Sequence, residues 1–168
     1  FYTRPSFEES HKALDFAATV GSAAKKANVR RIIYNTCCWG PPEELGEVGQ
    51  AGYDSVRLMV NMLMQGGVQT TTFQPVLFMD NLLTDWARKD ILEKDLYTYP
   101  HNPNLEASWI CLDDVAKFMI AAIDRDDLVG RCINIGGPEV FVPPRVADLL
   151  SGHFGRPIKY EELGLEDF

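Results

Sequence analysis

The residues whose types and spacing could support chemistry lie between Arg30 and Pro75. The pattern of this segment predicts a strand, a loop, a helix and a second strand. Thr36 falls at the carboxyl end of the first strand, where open α/β sheets bind ligands. Tyr53 opens the helix and Arg57 follows four residues later, so the two residues share one helical face. A threonine hydroxyl and a tyrosine phenol can both take part in proton transfer.

Other groups that suggest chemistry have a structural interpretation. Cys37 and Cys38 are adjacent, but no nearby residue supplies an activating base, so we expect plain, partly buried thiols. Asp113 and Asp114 open a helix, where carboxylates satisfy free N–H groups, and we interpret them as capping residues. The three histidines are scattered and no cysteine spacing typical of zinc occurs, so we predict no metal site.

Helical and strand patterns alternate along the chain and predict an α/β fold around these residues. The first helix begins near Ser6 or Ser10, and Asn28 is expected in the left-handed conformation at its end. Helices are also predicted at 53–65 and 111–125. The second of these is expected to face the interior with Val115, Phe118, Met119, Ala122 and Ile123.

The remaining segments are shorter. Strands are predicted at 30–36, 68–75 and 131–137, with a final short strand at 156–163. Residues 78–95 are predicted as a short helix followed by turns. Residues 138–155 are predicted as a strand or turn and then a helix, which completes the α/β alternation.

Composition limits the classes of partner. The chain has 168 residues, 46% of them hydrophobic and 24% charged, as is ordinary for a globular domain. Its net charge of −8 argues against a nucleic acid partner, which requires a basic surface. No apolar run approaches the ~20 residues of a membrane span, so no membrane association is expected. Reduced thiols favour a cytoplasmic location, and an initial Phe rather than Met indicates that the chain begins inside a larger protein.

Four segments resemble the atypical short-chain dehydrogenase/reductase superfamily, most closely its NmrA-like NAD(P)-binding branch. They read "KKANVRRIIYNT", "YDSVR", "GGVQTTTFQPVLFMDNLL" and "SWICLDDVAKFMIAAI". The resemblance covers residues 7–163 and implies a Rossmann-like parallel sheet with flanking helices. It implies one domain over 1–168 that lacks the N-terminal βαβ units, with a small substrate-side subdomain at about 76–168. No glycine-rich turn for a pyrophosphate occurs, and Gly136-Gly137 runs directly into Pro138.

The same resemblance implies a catalytic set that is incomplete. Tyr53 would donate a proton to a substrate carbonyl and Thr36 would orient the oxygen. In the superfamily, a lysine one helical turn after the tyrosine lowers the tyrosine pKa. Arg57 stands one turn after Tyr53 here, but it is a poor replacement because its forked guanidinium group needs a different geometry. In a second possible alignment, residues 53–57 match an F-D-S-K-R pattern of the NmrA-like branch, and Val56 then occupies the lysine position. A half-buried Tyr53 that packs on the long loop is the alternative interpretation.

By resemblance, the nicotinamide end of a cofactor would lie against the strand ends and the loop after Pro75, with Asn81 fixing that loop. Core packing is the alternative for Leu77 and Phe78. The predicted cofactor-binding residues are Asn35, Thr36, Cys37, Pro75, Val76 and Phe78.

These expectations lead to three alternative functions. The first is an NAD(P)H-dependent oxidoreductase that acts on a small carbonyl or quinone-type substrate. The second is a dinucleotide-sensing regulator without enzymatic activity, and the third is an inactive fragment. NADP or NAD is expected as cofactor only if the N-terminal half is present. The expected partners are a small-molecule substrate and a possible homodimer or partner protein.

Overall fold

The computed structural model describes residues 10–37 and 51–164, which form two compact units. The first unit comprises the described residues up to Pro75 together with 113–135. The second unit comprises 76–112 and the described residues from Gly136 onward. Residues 113–135 therefore pack with the first unit, although the sequence placed them in the substrate-side subdomain.

The first unit is a parallel sheet with flanking helices. Its elements are α1 (Ser10–Lys26), β1 (Arg31–Asn35), α2 (Ala51–Gln65), β2 (Gln69–Pro75), α4 (Leu112–Ala121) and β6 (Cys132–Ile135). The strand order is β1-β2-β6, and both strand pairs are parallel. Ala17 of α1 and the α2 residues Met59 and Leu63 form a core cluster against which the β1 residues Ile32 and Tyr34 pack. The predicted α/β fold with a parallel sheet is confirmed.

Local sequence determines where α1 ends. Asn28 has a φ of 52°, as expected. Its N–H donates to the Lys25 carbonyl at 3.1 Å, and the Val29 N–H donates to the Ala24 carbonyl at 2.9 Å. These two bonds form a Schellman motif, which satisfies carbonyls that the helix end would leave unpaired. The prediction of a left-handed residue at this position is confirmed.

A buried arginine joins α4 to the sheet. The Arg31 side chain is only 3% exposed and lies at the start of β1. Its Nη1 donates to the carbonyls of Ala122 and Ile123, at 3.0 and 2.9 Å. A cation at a helix C-terminus favours the helix dipole and satisfies the last carbonyls. The adjacent Arg30 also donates to Ile123, at 3.3 Å.

The second unit contains two small sheets and two helices. Its elements are β3 (Leu77–Phe78), α3 (Asp85–Lys94), β4 (Leu96–Tyr99), β5 (Ala107–Ile110), β7 (Val140–Phe141), α5 (Pro143–Phe154) and β8 (Lys159–Glu162), with a 3-10 helix at Met79–Leu83. One sheet has the order β3-β5-β7, and the other pairs β4 with β8 in parallel. Its core is rich in aromatic residues, including Tyr97, Tyr99 and Trp109.

Three sequence-based predictions need correction. The region 78–95 begins with the 3-10 helix and ends in the longer α3, the reverse of the predicted order. Phe118 and Ile123 are exposed, whereas Val115 and Ala122 of the same predicted inward face are buried. β4 was not predicted, because strand "LYTY" follows directly on the charged α3 and gains its burial from β8 and α5. Among residues 10–37 and 51–164, no helix is both long and apolar enough to cross a membrane.

Candidate functional site

The carboxyl end of β1 is closed by hydrogen bonds to β2. The Thr36 N–H donates to the Phe73 carbonyl at 3.0 Å, and the Thr36 hydroxyl donates to the same oxygen at 3.3 Å. The Thr36 residue is 1% exposed. Its hydroxyl therefore lies inside the protein, where it extends the pairing of the two strands by one residue.

Residues Asn35 to Cys37 form a tight turn at the same edge of the sheet. The Cys37 N–H donates to the Asn35 side-chain oxygen at 2.8 Å, and Cys37 has a φ of 59°. A short polar side chain that bonds the backbone two residues later stabilises such a turn. The Cys37 residue is exposed, yet nearby protein atoms desolvate its thiol and raise its pKa. A raised pKa favours the protonated thiol, which is a weak nucleophile.

The helix α2 carries the other two predicted catalytic residues. Tyr53 and Arg57 lie one turn apart in α2, and the Tyr53 side chain is outside the described residues. The Arg57 guanidinium pairs with the Asp54 carboxylate at 3.7 Å. Val56, the lysine position in the second register, is only 4% exposed and belongs to the apolar core. A lysine at this position would bury an ammonium group at a cost in free energy. This position of α2 therefore does not supply the lysine of the catalytic set.

The remaining predicted cofactor contacts belong to different units, Pro75 to the first and Val76 and Phe78 to the second. Pro75 ends β2, is fully buried and pairs in register with Ile135. Val76 and Phe78 belong to the second unit, where Phe78 pairs with Ile110 of β5. Leu77 packs against the second unit's core, in agreement with the packing alternative.

Asn81 and its neighbour Asp80 fix the segment that follows β3. The Asn81 side-chain amide donates to the Tyr99 hydroxyl at 3.3 Å. Asp80 accepts a hydrogen bond from the Leu112 N–H at 2.9 Å, at the start of α4. Asp80 was not predicted from the sequence. An acidic residue next to the singled-out Asn81 was the only available signal, and its partner lies 32 residues further along the chain.

The described residues fit a dinucleotide only in part. An uncharged, exposed strand end at Cys37 is compatible with a nicotinamide ring. The N–H groups of Thr36 and Cys37 already donate within the protein, so they offer nothing to a pyrophosphate. A Cβ added at Gly137 would overlap the Trp109 carbonyl oxygen, so this glycine permits a close backbone approach. Ser108 donates to the Gly137 carbonyl at 2.9 Å in the same contact.

A cavity that the sequence analysis did not predict lies in the second unit. Its volume is about 490 Å³, within the range of small-molecule sites. Met79 and Asp80 follow β3, Cys111 follows β5, and the two strands are parallel. The cavity therefore lies at the carboxyl ends of a parallel pair. Its walls include Leu82, Leu83, Ile91, Leu92, Leu150 and Phe154.

Two sequence relatives are reductases. The chain is 27% identical over 149 residues to an NAD(P)H azoreductase from Xenophilus azovorans, a match that covers 89% of this chain and 50% of the relative. It is 33% identical over 105 residues to a (4-alkanoyl-5-oxo-2,5-dihydrofuran-3-yl)methyl phosphate reductase from Streptomyces griseus, covering 60% of this chain and 34% of the relative. No protein-family model matches the chain. The match spans about half the length of the azoreductase and about a third of the second relative.

Solved structures share the fold. A nucleoside-diphosphate-sugar epimerase from Staphylococcus aureus has a TM-score of 0.76 and 23% identity, covering 100% of this chain and 56% of the epimerase. An NADPH-dependent quinone oxidoreductase from Escherichia coli, in complex with NADPH, has a TM-score of 0.73 and 20% identity, covering 90% of this chain and 51% of the oxidoreductase. The fold is that of NAD(P)-binding reductases and epimerases.

Proposed function

We propose that this chain belongs to an NAD(P)H-dependent oxidoreductase that acts on a small carbonyl or quinone-type substrate. The similarity to the azoreductase over 89% of the chain carries this proposal. An azo bond and a quinone are both conjugated acceptors of two electrons, so one kind of site could serve either compound. The NmrA-like branch, suggested by the segment "FMDNLL" after Pro75, is the finer assignment that we also propose.

The carboxyl end of β1 is the part of this chain that we assign to the nicotinamide end of NADP or NAD. Asn35 and Cys37 form the turn there, while the buried Thr36 and Pro75 hold the two strand ends beneath it. The reduced cofactor would supply a hydride. Tyr53 would hold the proton that the substrate oxygen receives. Arg57 would fix the first turn of α2 through its ion pair with Asp54.

A dinucleotide-binding regulator is the second candidate. The buried Val56 and the Asp54-paired Arg57 favour it, because both registers lack the lysine that would assist a catalytic tyrosine. Such a protein would bind the cofactor and transmit its redox state to a partner protein without turnover.

The deciding experiment follows NADPH and NADH oxidation by the full-length protein with duroquinone as acceptor, beside direct measurement of dinucleotide binding. Turnover supports the oxidoreductase. Binding without turnover supports the regulator, and the absence of both, when the 168-residue chain is measured alone, supports the inactive fragment. Tyr53→Phe should lower kcat by roughly 10²-fold or more if the phenol delivers a proton. Tyr97→Phe is the matched control, since the buried Tyr97 hydroxyl has no hydrogen-bond partner among the described residues. Equal kcat values for the two variants would remove Tyr53 from the mechanism.

A further inference from the structure

The cavity of the second unit lies where α/β proteins bind ligands. Met79 and Asp80 leave the carboxyl end of β3, and Cys111 leaves the carboxyl end of its parallel partner β5. Ligands of open α/β sheets bind outside such strand ends, since the connections that leave them diverge. α3 and α5 supply the side walls through Ile91 and Leu150.

The charged groups that line the cavity are already engaged. The Asp80 carboxylate accepts the Leu112 N–H at 2.9 Å, and the Arg88 guanidinium pairs with Asp85 at 3.0 Å. The two charges have opposite signs, and the remaining described lining residues carry no fixed charge, so an ionic ligand would meet no net opposite charge. The lining therefore favours an uncharged ligand.

Two further groups on the lining can donate hydrogen bonds. Cys111 lies at the end of β5, and its thiol is a weak donor. His153 lies in the last turn of α5, with its ring 5.0 Å from the ring of Phe154. Hydrogen-bond donors beside an aromatic ring suit a flat molecule that carries acceptor oxygens, such as carbonyls.

The apolar part of the lining is unusually open to solvent. Leu83 is 71% exposed, and Met79 and Leu92 are also exposed. Adjacent exposed apolar side chains around a cavity are typical of a ligand-binding surface, because covering them releases water. An apolar ring would cover side chains that the second unit alone leaves uncovered.

We propose that this cavity binds an uncharged ring compound with carbonyl oxygens, of the quinone class. This deepens the proposed oxidoreductase function and rests on it only for the statement that the compound is the acceptor. Binding itself depends on the lining described above, so it can be tested without a cofactor.

The experiment measures duroquinone binding to the full chain by equilibrium dialysis without dinucleotide. Duroquinone carries no ring hydrogen, so it resists addition of cysteine thiols. Leu150→Trp would fill the cavity and should weaken binding by at least about tenfold. Leu149→Trp is the matched control, because the neighbouring Leu149 is exposed and does not line the cavity. Leu83→Asp, at an exposed position that cannot disturb the core, should also weaken binding.

Cysteine alkylation supplies an independent measurement. Duroquinone should slow the reaction of Cys111 with iodoacetamide, whereas exposed Cys132 in the first unit should react at an unchanged rate. Peptide mass mapping distinguishes the two sites. Equal protection of both cysteines, equal binding by Leu150→Trp and Leu149→Trp, or no saturable binding by the natural sequence would overturn the inference.

Turnover then separates this inference from the proposed function. If the natural protein oxidises NAD(P)H, Leu150→Trp should raise the KM for duroquinone more than it lowers kcat. An unchanged KM would show that the acceptor binds elsewhere and would overturn the inference while leaving the oxidoreductase intact. If no NAD(P)H is oxidised, the proposed function fails, and the dialysis and alkylation results alone decide whether the cavity binds quinones.

Discussion

At the carboxyl end of β1 in the first unit, backbone N–H groups are paired within the protein, whereas the carboxyl end of β3 in the second unit opens into a cavity. Thr36 and Cys37 use their N–H groups within the first unit. Beyond β3 and β5, apolar side chains surround a space of about 490 Å³. The comparison shows that the first strand end uses its N–H groups within the protein, whereas the second leaves a space that side chains do not fill.

The two units also differ in the type of side chain that they bury. Three successive threonines of β2, Thr70, Thr71 and Thr72, are buried in the first unit. The hydroxyls of Thr70 and Thr71 donate to main-chain carbonyls. The second unit depends instead on packed rings, with Tyr97 5.6 Å from Tyr160 and Trp86 5.3 Å from Tyr99. Side-chain hydrogen bonds should therefore contribute more to the stability of the first unit than to that of the second, where aromatic packing contributes more.

The largest change in stability is expected at the close contact between Gly137 and the Trp109 carbonyl in the second unit. Gly137→Ala would place a Cβ on the Trp109 carbonyl oxygen and should lower the free energy of unfolding by about 3 kcal/mol. Gly152→Ala in α5 meets no atom within 4 Å and should raise it by roughly 0.5–1 kcal/mol. Urea unfolding measures both. Similar values for the two variants would show that close packing does not control the second unit.

The second-largest change in stability is expected for the two arginines that each bind the carbonyls at a helix end, one in each unit. Arg156 donates to the Ile91 and Leu92 carbonyls at the end of α3, as Arg31 does for the end of α4. Arg31→Met should lower the free energy of unfolding by about 2–3 kcal/mol, since its side chain is 3% exposed and its acceptors would lose their donors. Arg156→Met should cost about 1 kcal/mol, because its 36% exposed side chain leaves acceptors that water can reach. A larger loss for Arg156→Met in urea unfolding would contradict the assignment of polar stabilisation to the first unit.

A smaller effect is expected within β2. Thr71→Val removes the 2.9 Å hydrogen bond from the hydroxyl to the Leu128 carbonyl and should cost about 1 kcal/mol. The buried Thr72 hydroxyl has no hydrogen-bond partner among the described residues, so Thr72→Val should be neutral or stabilising. Thermal unfolding of the two variants in parallel tests this difference. Equal destabilisation would mean that shape, not hydrogen bonding, decides the stability of β2.

The smallest effect is a pH dependence of the second unit. Burial lowers the pKa of His101, whose ring lies 4.4 Å from that of Tyr99. At pH values between the lowered pKa of folded His101 and its ordinary pKa near 6.5, the unfolded chain binds more protons than the folded chain. The stability contributed by His101 should therefore be present above about pH 6.5 and fall as the pH falls below it. His101→Gln should flatten this dependence in urea unfolding from pH 7 to pH 5, and an unchanged slope would exclude His101 as its source.

Much of the fold could be predicted where local sequence decides it. The end of α1 at Asn28, the strands β1, β2 and β6 and the stop of α2 at Gly66-Gly67 all follow from turn residues and apolar periodicity. The exposed Phe118 could not be predicted, because a helical stripe records hydrophobicity but not how much of it neighbouring elements cover. For the same reason β4 was missed, since its partner β8 lies about 60 residues further along the chain.

The candidate site was predicted less completely than the fold. Sequence spacing placed Thr36, Tyr53 and Arg57 around one strand and one helix, but it could not show that the Thr36 hydroxyl is buried, because burial depends on which elements cover it. The ion pair of Arg57 with Asp54 joins positions i and i+3 of one helix, so the spacing contained it although it was not predicted. Whether Tyr53 acts in catalysis stays a prediction.

By itself, the sequence determined the α/β class, the ends of α1 and α2 and the absence of a glycine-rich turn, because these depend on residues close together in the chain. Only the tertiary structure decided that Thr36 at the β1 end is buried and bonded to Phe73, and that the β3–β5 edge encloses a cavity. Asp80, Cys111 and Leu150 line one space although up to 70 residues separate them along the chain. Their proximity arises from parallel strand pairing and helix packing, which no local pattern specifies.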